Sequence, residues 1–271
     1  MDAAITAASE LAQAPVLTRQ DDGFITTLTL NRPDKFNALS NELLAALQAQ
    51  FDAIAVDRTV RVVVLAGAGK AFCTGHDLKE MRANASRQAM QDLFRRCAAV
   101  MLAITRLPQP VIARVHGVAT AAGCQLVASC DLAVAVEHAR FAVSGVNLGL
   151  FCSTPMVALT RNMPRKQAME MLLTGSFIDA ETALRYGLVN RVVPADGLDA
   201  AVGELAVSVA SKSPAAVALG KGIFYRQLEA SLEAAYEIAS ETMTCNILVE
   251  DARNGIDAFL AKRPMPEWTG R

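Results

Sequence analysis

Val111 to Asp131 reads VIARVHGVATAAGCQLVASCD. Pro110 precedes it, β-branched residues open it (Val111, Ile112, Val115), and Gly117 breaks it before the small-residue run Ala119-Thr120-Ala121-Ala122-Gly123. An apolar stretch follows. The pattern predicts a strand, a tight turn and a helix start. A turn almost free of side chains lets another group approach its backbone. The first N–H groups of the following helix lack intrahelical acceptors and carry about half a positive charge. Such a place can stabilise an oxyanion. Runs of Ala and Gly also serve as close packing surfaces, and this stretch alone is compatible with both uses.

Upstream, Val60 to Ala66 (VRVVVLA) predicts a buried strand, and Gly67 to Met81 (GAGKAFCTGHDLKEM) leaves it through glycines. A dinucleotide fingerprint would need glycine where Phe72 stands, and no Walker pattern is present, so neither phosphate-cradling motif applies. What remains is a second small-residue turn, Thr74-Gly75-His76, with Asp77 placed to cap Leu78-Lys79-Glu80-Met81. Two strand ends thus each present a turn that feeds a helix. Earlier still, Gly23 to Asn31 alternates apolar and threonine positions, a half-buried strand ended by Arg32-Pro33-Asp34. Ser40 is placed to cap a helix with Leu43, Leu44, Leu47, Phe51 and Ile54 on one face and Glu42 near its positive end. From Ala200 onward the pattern is helical, through ELAVSVASKS, Pro214 to Leu228 and Leu232 to Leu248. These readings predict a mixed α/β chain.

With 271 residues, 52% of them hydrophobic, the chain can bury a large core. Its 26 basic and 27 acidic residues give a net charge of −1, which supplies no electrostatic attraction for nucleic acid or an anionic membrane. Small molecules or copies of the chain are the expected partners. Six cysteines are scattered without a C-x-x-C pair or a His-rich tract, so neither a metal site nor a disulfide framework is signalled. They are expected to be reduced, mostly buried, in a cytoplasmic protein. Gly117 to Val136 approaches membrane-spanning length but contains Gln125 and Asp131. An Asp at a bilayer centre costs about 2.5–3.5 kcal/mol, so a buried core segment is expected. Met1 to Pro15 lacks Arg and Lys, shows no signal or transit pattern, and reads as a loose tail.

Taken together, GAGKAFCTGHDLKEM and VHGVATAAGCQLVASCDLAVA resemble the paired signatures of the crotonase, or enoyl-CoA hydratase/isomerase, superfamily. NRPDKFNALS, FAVSGVNLGLFCSTP, GLVNRVVP and GIDAFLAKRPMPEW fall in order around them, from about Val16 to Trp268. The resemblance implies a crotonase (ClpP-like) spiral of repeated β-β-α units over residues 16–199. It implies a C-terminal helical trimerisation region over residues 200–271, building a homotrimer or a dimer of trimers. It also implies an acyl-CoA substrate of fatty-acid metabolism and no separate cofactor, coenzyme A being part of the substrate. The thioester oxygen would lie between the N–H groups of His76 and Ala122, the latter standing where the family usually has Gly. Lys35, Phe36 and Asn37 would lie near the CoA moiety, the backbone through Thr74, Asp77 and Leu78 would meet the adenine, and Lys79 would face phosphate. Phe259 and Lys262 resemble residues that reach the nucleotide from a neighbouring subunit.

Against the same resemblance, both usual catalytic glutamates are replaced, by Gln125 and by Gly145. A Gln amide can orient a water but is no carboxylate base, and Gly145 offers only backbone. Acid-base groups contribute about 10²–10⁴ each, so efficient hydration is not expected. Two alternatives are loss of CO₂ from an acyl-CoA, which makes an enolate without a protein base, and non-catalytic acyl-CoA binding. Ser144, Asn147, Cys152, Ser153 and Thr154 are candidates to line the acyl pocket. Cys152 is read as inert, His116 as a hydrogen-bonded structural residue, and the side chains of His76 and Glu80 as solvent-facing. Asp77 and Asp131 are read as turn or cap residues, Asp131 alternatively as a buried anchor.

Overall fold

A strand pair followed by a helix recurs along the chain. The structure is a computed structural model that describes residues 14–271. It opens with an antiparallel hairpin, β1 (Leu17–Asp22) and β2 (Ile25–Leu30), and the helix α1 (Asn41–Val56). The first full unit is β3 (Val62–Gly67), β4 (Ala71–Cys73), α2 (Leu78–Ala83) and α3 (Arg87–Arg106). The second is β5 (Val111–Val115), β6 (Val118–Thr120) and α4 (Ala122–Ser129). The third is β7 (Leu132–Val136), β8 (Arg140–Ala142) and α5 (Ser153–Asn162). Then follow α6 (Arg165–Thr174), β9 (Ile178–Asp179), α7 (Ala180–Arg185), β10 (Arg191–Val193) and α8 (Leu198–Ala210). The chain closes with α9 (Pro214–Leu228), α10 (Leu232–Leu248) and α11 (Glu250–Leu260).

The first strand of each unit joins one sheet, ordered β1-β2-β3-β5-β7-β10, and the second joins another, ordered β4-β6-β8-β9. From β2 to β10 the first sheet is parallel, so each unit crosses over and lands one strand further along, which is the expected spiral. Strands covered on both faces read as continuous apolar runs, and all but the last residue of β3 are buried. The single strand expected at Val111 is in fact two. Gly117 turns the chain between sheets where a Cβ would lie 2.6 Å from the Lys70 carbonyl oxygen. The strand β1 was not foreseen, because it is a polar edge strand with only Leu17 and Arg19 partly covered. Its one signal was Asp22-Gly23, with Gly23 at φ 57° in the hairpin corner.

The Ser40 hydroxyl accepts from the Leu43 N–H, and the five apolar residues expected on the inner face of α1 are its buried set. The boundary expected between residues 199 and 200 falls inside α8, which packs on β3, β5 and β7. The helices beyond Pro214 pack chiefly on one another. One buried network ties them to the core. Lys221 Nζ on α9 donates to Asp131 Oδ2 at 2.6 Å and to the carbonyls of Ile104 and Gln109. Tyr225 donates to Asp131 Oδ1, and Val111 N–H to Oδ2. Asp131 is therefore the buried anchor of the two readings.

The loose-tail reading of Met1 to Pro15 falls, save its last two residues, outside the described residues. Cysteines 73, 97, 124, 130 and 152 are buried and Cys245 is exposed, all with free thiols. Among the described residues no cluster fit for a metal exists, and no single helix is long and apolar enough to cross a membrane. Gly117 to Val136 divides into β6, α4 and β7 and is core, as expected.

Candidate active site

The two small-residue turns are neighbours because their strands are. β4 pairs in parallel with β6, placing Cys73 beside Ala119. Beyond the pair, Thr120 Oγ1 donates to the Thr74 carbonyl at 3.1 Å. Gly123 allows the closest approach, since a Cβ there would fall 2.0 Å from the Cys73 carbonyl oxygen. Gly75, at φ +94°, is also close to the second turn: its Cβ would lie 2.9 Å from the Ala121 Cβ and 3.4 Å from the Ala122 nitrogen.

On its other side the first turn runs beside Lys35 to Leu39. Thr74 N–H donates to the Phe36 carbonyl, Leu39 N–H to Gly75, and Asp77 N–H to Leu39. In a parallel bridge, the residue bonded to positions 75 and 77 leaves the peptide groups of residue 76 pointing the opposite way. The His76 N–H is thereby turned to the side where β6 ends and α4 begins. Ala122 is the first residue of α4, whose opening N–H groups have no partner within the helix. Neither the His76 nor the Ala122 N–H has an acceptor within the described residues. Ala121 holds the second turn at φ 48°, ψ −119°, a backbone state costing a non-glycine residue about 1–3 kcal/mol.

The side chain of His76 departs from the solvent-edge expectation. It is largely buried, its ring meets Phe94 edge-on at 5.5 Å, and burial lowers its pKa from 6.5 to about 4. Nε2 has no hydrogen-bond partner among the described residues. Gln125, one helical turn beyond Ala122, is 4% exposed, and its Oε1 is likewise buried and without a partner among the described residues. Gly145 is closed off, because a Cβ would stand 2.6 Å from the Leu150 carbonyl oxygen and 2.8 Å from Cys152 Sγ. Burial raises the Cys152 thiol above its ordinary value, a hydrogen bond from the Gly145 backbone offsetting part of the rise, so the thiol is inert at neutral pH, as expected.

The remaining candidates divide. Lys35, Phe36, Leu78 and Lys79 are exposed around the paired segments of the first turn. Asp77 accepts from the Lys79 and Glu80 N–H groups and pairs with Arg32 at 2.9 Å, hydrogen bonds that hold its carboxyl below the usual range. Asn37 is fully buried. Its amide donates to the carbonyls of Ala68, Ala71 and Phe72, so its side chain pins the β3–β4 corner and does not face a ligand. Glu80 does not face solvent either, because it accepts from the Asn41 backbone and side chain at the start of α1. His116 Nε2 bonds to the Gly69 carbonyl, in its expected structural role. Asn147 is engaged with the Gly175 carbonyl. Phe259 and Lys262 lie exposed on and just past α11, which packs on α9 and α10, so this chain does not bring them to the first turn.

Unpaired amides on abutting strand-to-helix turns, in a spiral of β-β-α units, define a crotonase-type protein. The enoyl-CoA hydratase/isomerase family model matches residues 20–271. The human enoyl-CoA hydratase domain-containing protein 3, mitochondrial, is 46% identical over 94% of this chain and 84% of its own length. The crystal structure of that human protein superposes with a TM-score of 0.90 at 44% identity, covering 93% of this chain and 99% of that one. An enoyl-CoA hydratase crystal structure from Mycobacterium smegmatis does so with a TM-score of 0.92 at 58% identity and the same coverage. The chain belongs to the enoyl-CoA hydratase/isomerase family, whose members process acyl-CoA thioesters. The expectation of a cytoplasmic protein is overturned, since the curated relatives that are 44–46% identical are named mitochondrial.

Proposed function

We propose that this protein is an acyl-CoA enzyme of hydratase/isomerase type that stabilises a thioester enolate between the N–H groups of His76 and Ala122. The observation that carries the reading is the pair of unpaired amides on turns that touch at Gly75 and Ala121. Fixed dipoles that meet charge as it develops need no reorganisation, and one such donor is worth about 10²–10³ in rate. Lys35, Phe36, Leu78 and Lys79 form the shelf for coenzyme A, and Phe259 and Lys262 reach it from a neighbouring copy. Exposed Phe224, Leu232, Tyr236, Met243 and Ile247 on α9 and α10 support assembly into a trimer or a dimer of trimers. No cofactor besides the CoA of the substrate is required.

With Gln125 and Gly145 in the places of the glutamates, hydration is slow. The closed space at Gly145 favours a second reading, loss of CO₂ from a substrate with a carboxylate on its α-carbon. There the C–C bond breaks, its electron pair enters the enolate held by the two amides, and a proton then adds to the α-carbon. Acetoacetyl-CoA tests what both readings share, because its enolate absorbs in the near ultraviolet. Binding at neutral pH should raise that absorbance, and replacing the Ala122 amide by an ester should remove the rise. Binding without enolate absorbance would overturn the proposal. Release of CO₂ from malonyl-type thioesters, against hydration of crotonyl-CoA, then separates the two reactions.

A further inference from the structure

The His76 N–H stands at the far end of a chain of hydrogen-bonded peptide groups. In a trans peptide the C=O and the N–H that follows it point in opposite directions. The Gly75 carbonyl and the His76 N–H share one peptide, and that carbonyl accepts from the Leu39 N–H at 2.7 Å. The Leu39 N–H shares its own peptide with the Ala38 carbonyl, and that carbonyl accepts from Nη1 of Arg32. A guanidinium thus heads two peptides in line, and the His76 N–H, without an acceptor among the described residues, ends them.

The local fold holds Arg32 in this place. Its backbone N–H donates to Asn37 Oδ1 at 2.9 Å and its carbonyl accepts from the Lys35 and Asn37 N–H groups, which curls residues 32–37 into a loop with Phe36 and Asn37 at φ 49° and 56°. The loop brings Ala38 back to the Arg32 side chain. Nη2 donates to Asp77 Oδ2 at 2.9 Å, with 10% and 15% of the two side chains exposed. The guanidinium therefore grips both strands of the Leu39–His76 bridge. Fastening two segments needs only the ion pair to Asp77. The second arm of the fork, on the Ala38 carbonyl, puts the charge in line with the donor.

We propose that Arg32 is a positioning residue for enolate stabilisation, aiming and polarising the His76 N–H through the Ala38–Leu39 and Gly75–His76 peptides. The inference rests on the acyl-CoA reading above and extends that site to a side chain that does not touch the substrate. Hydrogen bonds in series strengthen one another by about 10–30% each, and those from an ionised donor are about twice as strong as neutral ones. Each peptide passes the pull of the guanidinium to the next N–H. The gain is greatest when the final acceptor becomes negative, so it favours enolate over neutral thioester.

A pH titration of acetoacetyl-CoA bound to the assembled protein reads this out, because the two amides set the midpoint at which the enolate absorbance appears. Arg32→Gln keeps an N–H donor but loses the charge. It should raise the midpoint by about one pH unit, since it weakens without removing a donor worth about 10²–10³. Affinity for butyryl-CoA, whose neutral carbonyl gains little from polarisation, should stay within about three-fold. Arg32→Lys should restore part of the midpoint. An ester in place of the Leu39 amide keeps every side chain and interrupts the chain of peptides. It should raise the midpoint similarly, with Arg32→Gln adding nothing further to it. The ester protein carries the test alone if Arg32→Gln melts below the assay temperature. An unchanged midpoint in either protein, an equal loss for both ligands, or additive effects would overturn the proposal. No enolate absorbance in the unaltered protein would overturn the acyl-CoA reading together with it.

Discussion

Gly145 and His76 carry opposite lessons in burial. At Gly145 there is no room, as Leu150 O and Cys152 Sγ occupy the space of a side chain. Gly145→Ala is therefore expected to destabilise the fold by about 1–3 kcal/mol, measured as a fall in the urea midpoint with unchanged slope. A glutamate restored at this position meets the same wall, and a Gln125→Glu, Gly145→Glu variant should show no efficient crotonyl-CoA hydration unless the loop around Leu150 is also remodelled. His76 has its pKa depressed by burial from 6.5 to about 4. Between those values the unfolded chain takes up a proton that the folded chain refuses. Stability is therefore fully present above pH 6.5 and falls as pH drops toward 4, by roughly 3 kcal/mol at most. His116, also lowered by burial, acts with the same sign. Chemical denaturation at pH 7 and pH 4.5 should show a smaller loss for His76→Phe than for the unaltered protein, and an equal loss would remove the argument.

Among the elements, α9 depends on a single buried charge pair. Burial pulls the Lys221 ammonium below the usual lysine range even with Asp131 at 2.6 Å. Desolvation is the larger influence, and three oxygen acceptors keep the ammonium in place. Replacing one member leaves the other buried and unpaired, a loss of about 3–5 kcal/mol. Lys221→Met is expected to lower stability by that amount and to raise hydrogen exchange in α9 before the sheet strands exchange. If exchange in α9 and in β5 rose together, the helix would be unfolding with the core and not separately. At the turns, the one-helical-turn spacing of Ala122 and Gln125 was legible in the sequence, and so were the caps Ser40 and Asp77. The ranges of β1 and β6 were not, because a polar edge strand and a three-residue strand have too little apolar periodicity to register.

At the scale of the molecule, α9 to α11 carry large apolar side chains that no other described residue covers. Phe224, Tyr236, Ile247, Phe259 and Leu260, on three helices that pack on one another, are each half or more exposed, and exposed apolar surface of this kind marks interaction sites. Sedimentation is expected to give a trimer or its multiple. Tyr236→Glu with Ile247→Glu should shift it toward monomer and weaken acyl-CoA binding if Phe259 and Lys262 serve the neighbouring site. A monomeric unaltered protein that binds acyl-CoA fully would remove the cross-subunit contribution.

The amino-acid sequence by itself determined the α/β class, the two small-residue turns and the absence of a nucleotide fingerprint, since each depends on residue types at short spacing, whereas Gln125 and Gly145 stand out as glutamate replacements only through the resemblance to the family. Tertiary structure alone decided which groups are covered and which polar atoms go unpaired. Asn37, Glu80 and the ring of His76 lie next to functional-looking motifs, yet Asn37 and Glu80 are satisfied by distant backbone or side-chain groups and His76 Nε2 by none. The closure at Gly145 likewise comes from Leu150 and Cys152 folding back over it. Local spacing encodes the order of elements, but exclusion of water and mutual reach arise only when segments remote along the chain come into van der Waals contact.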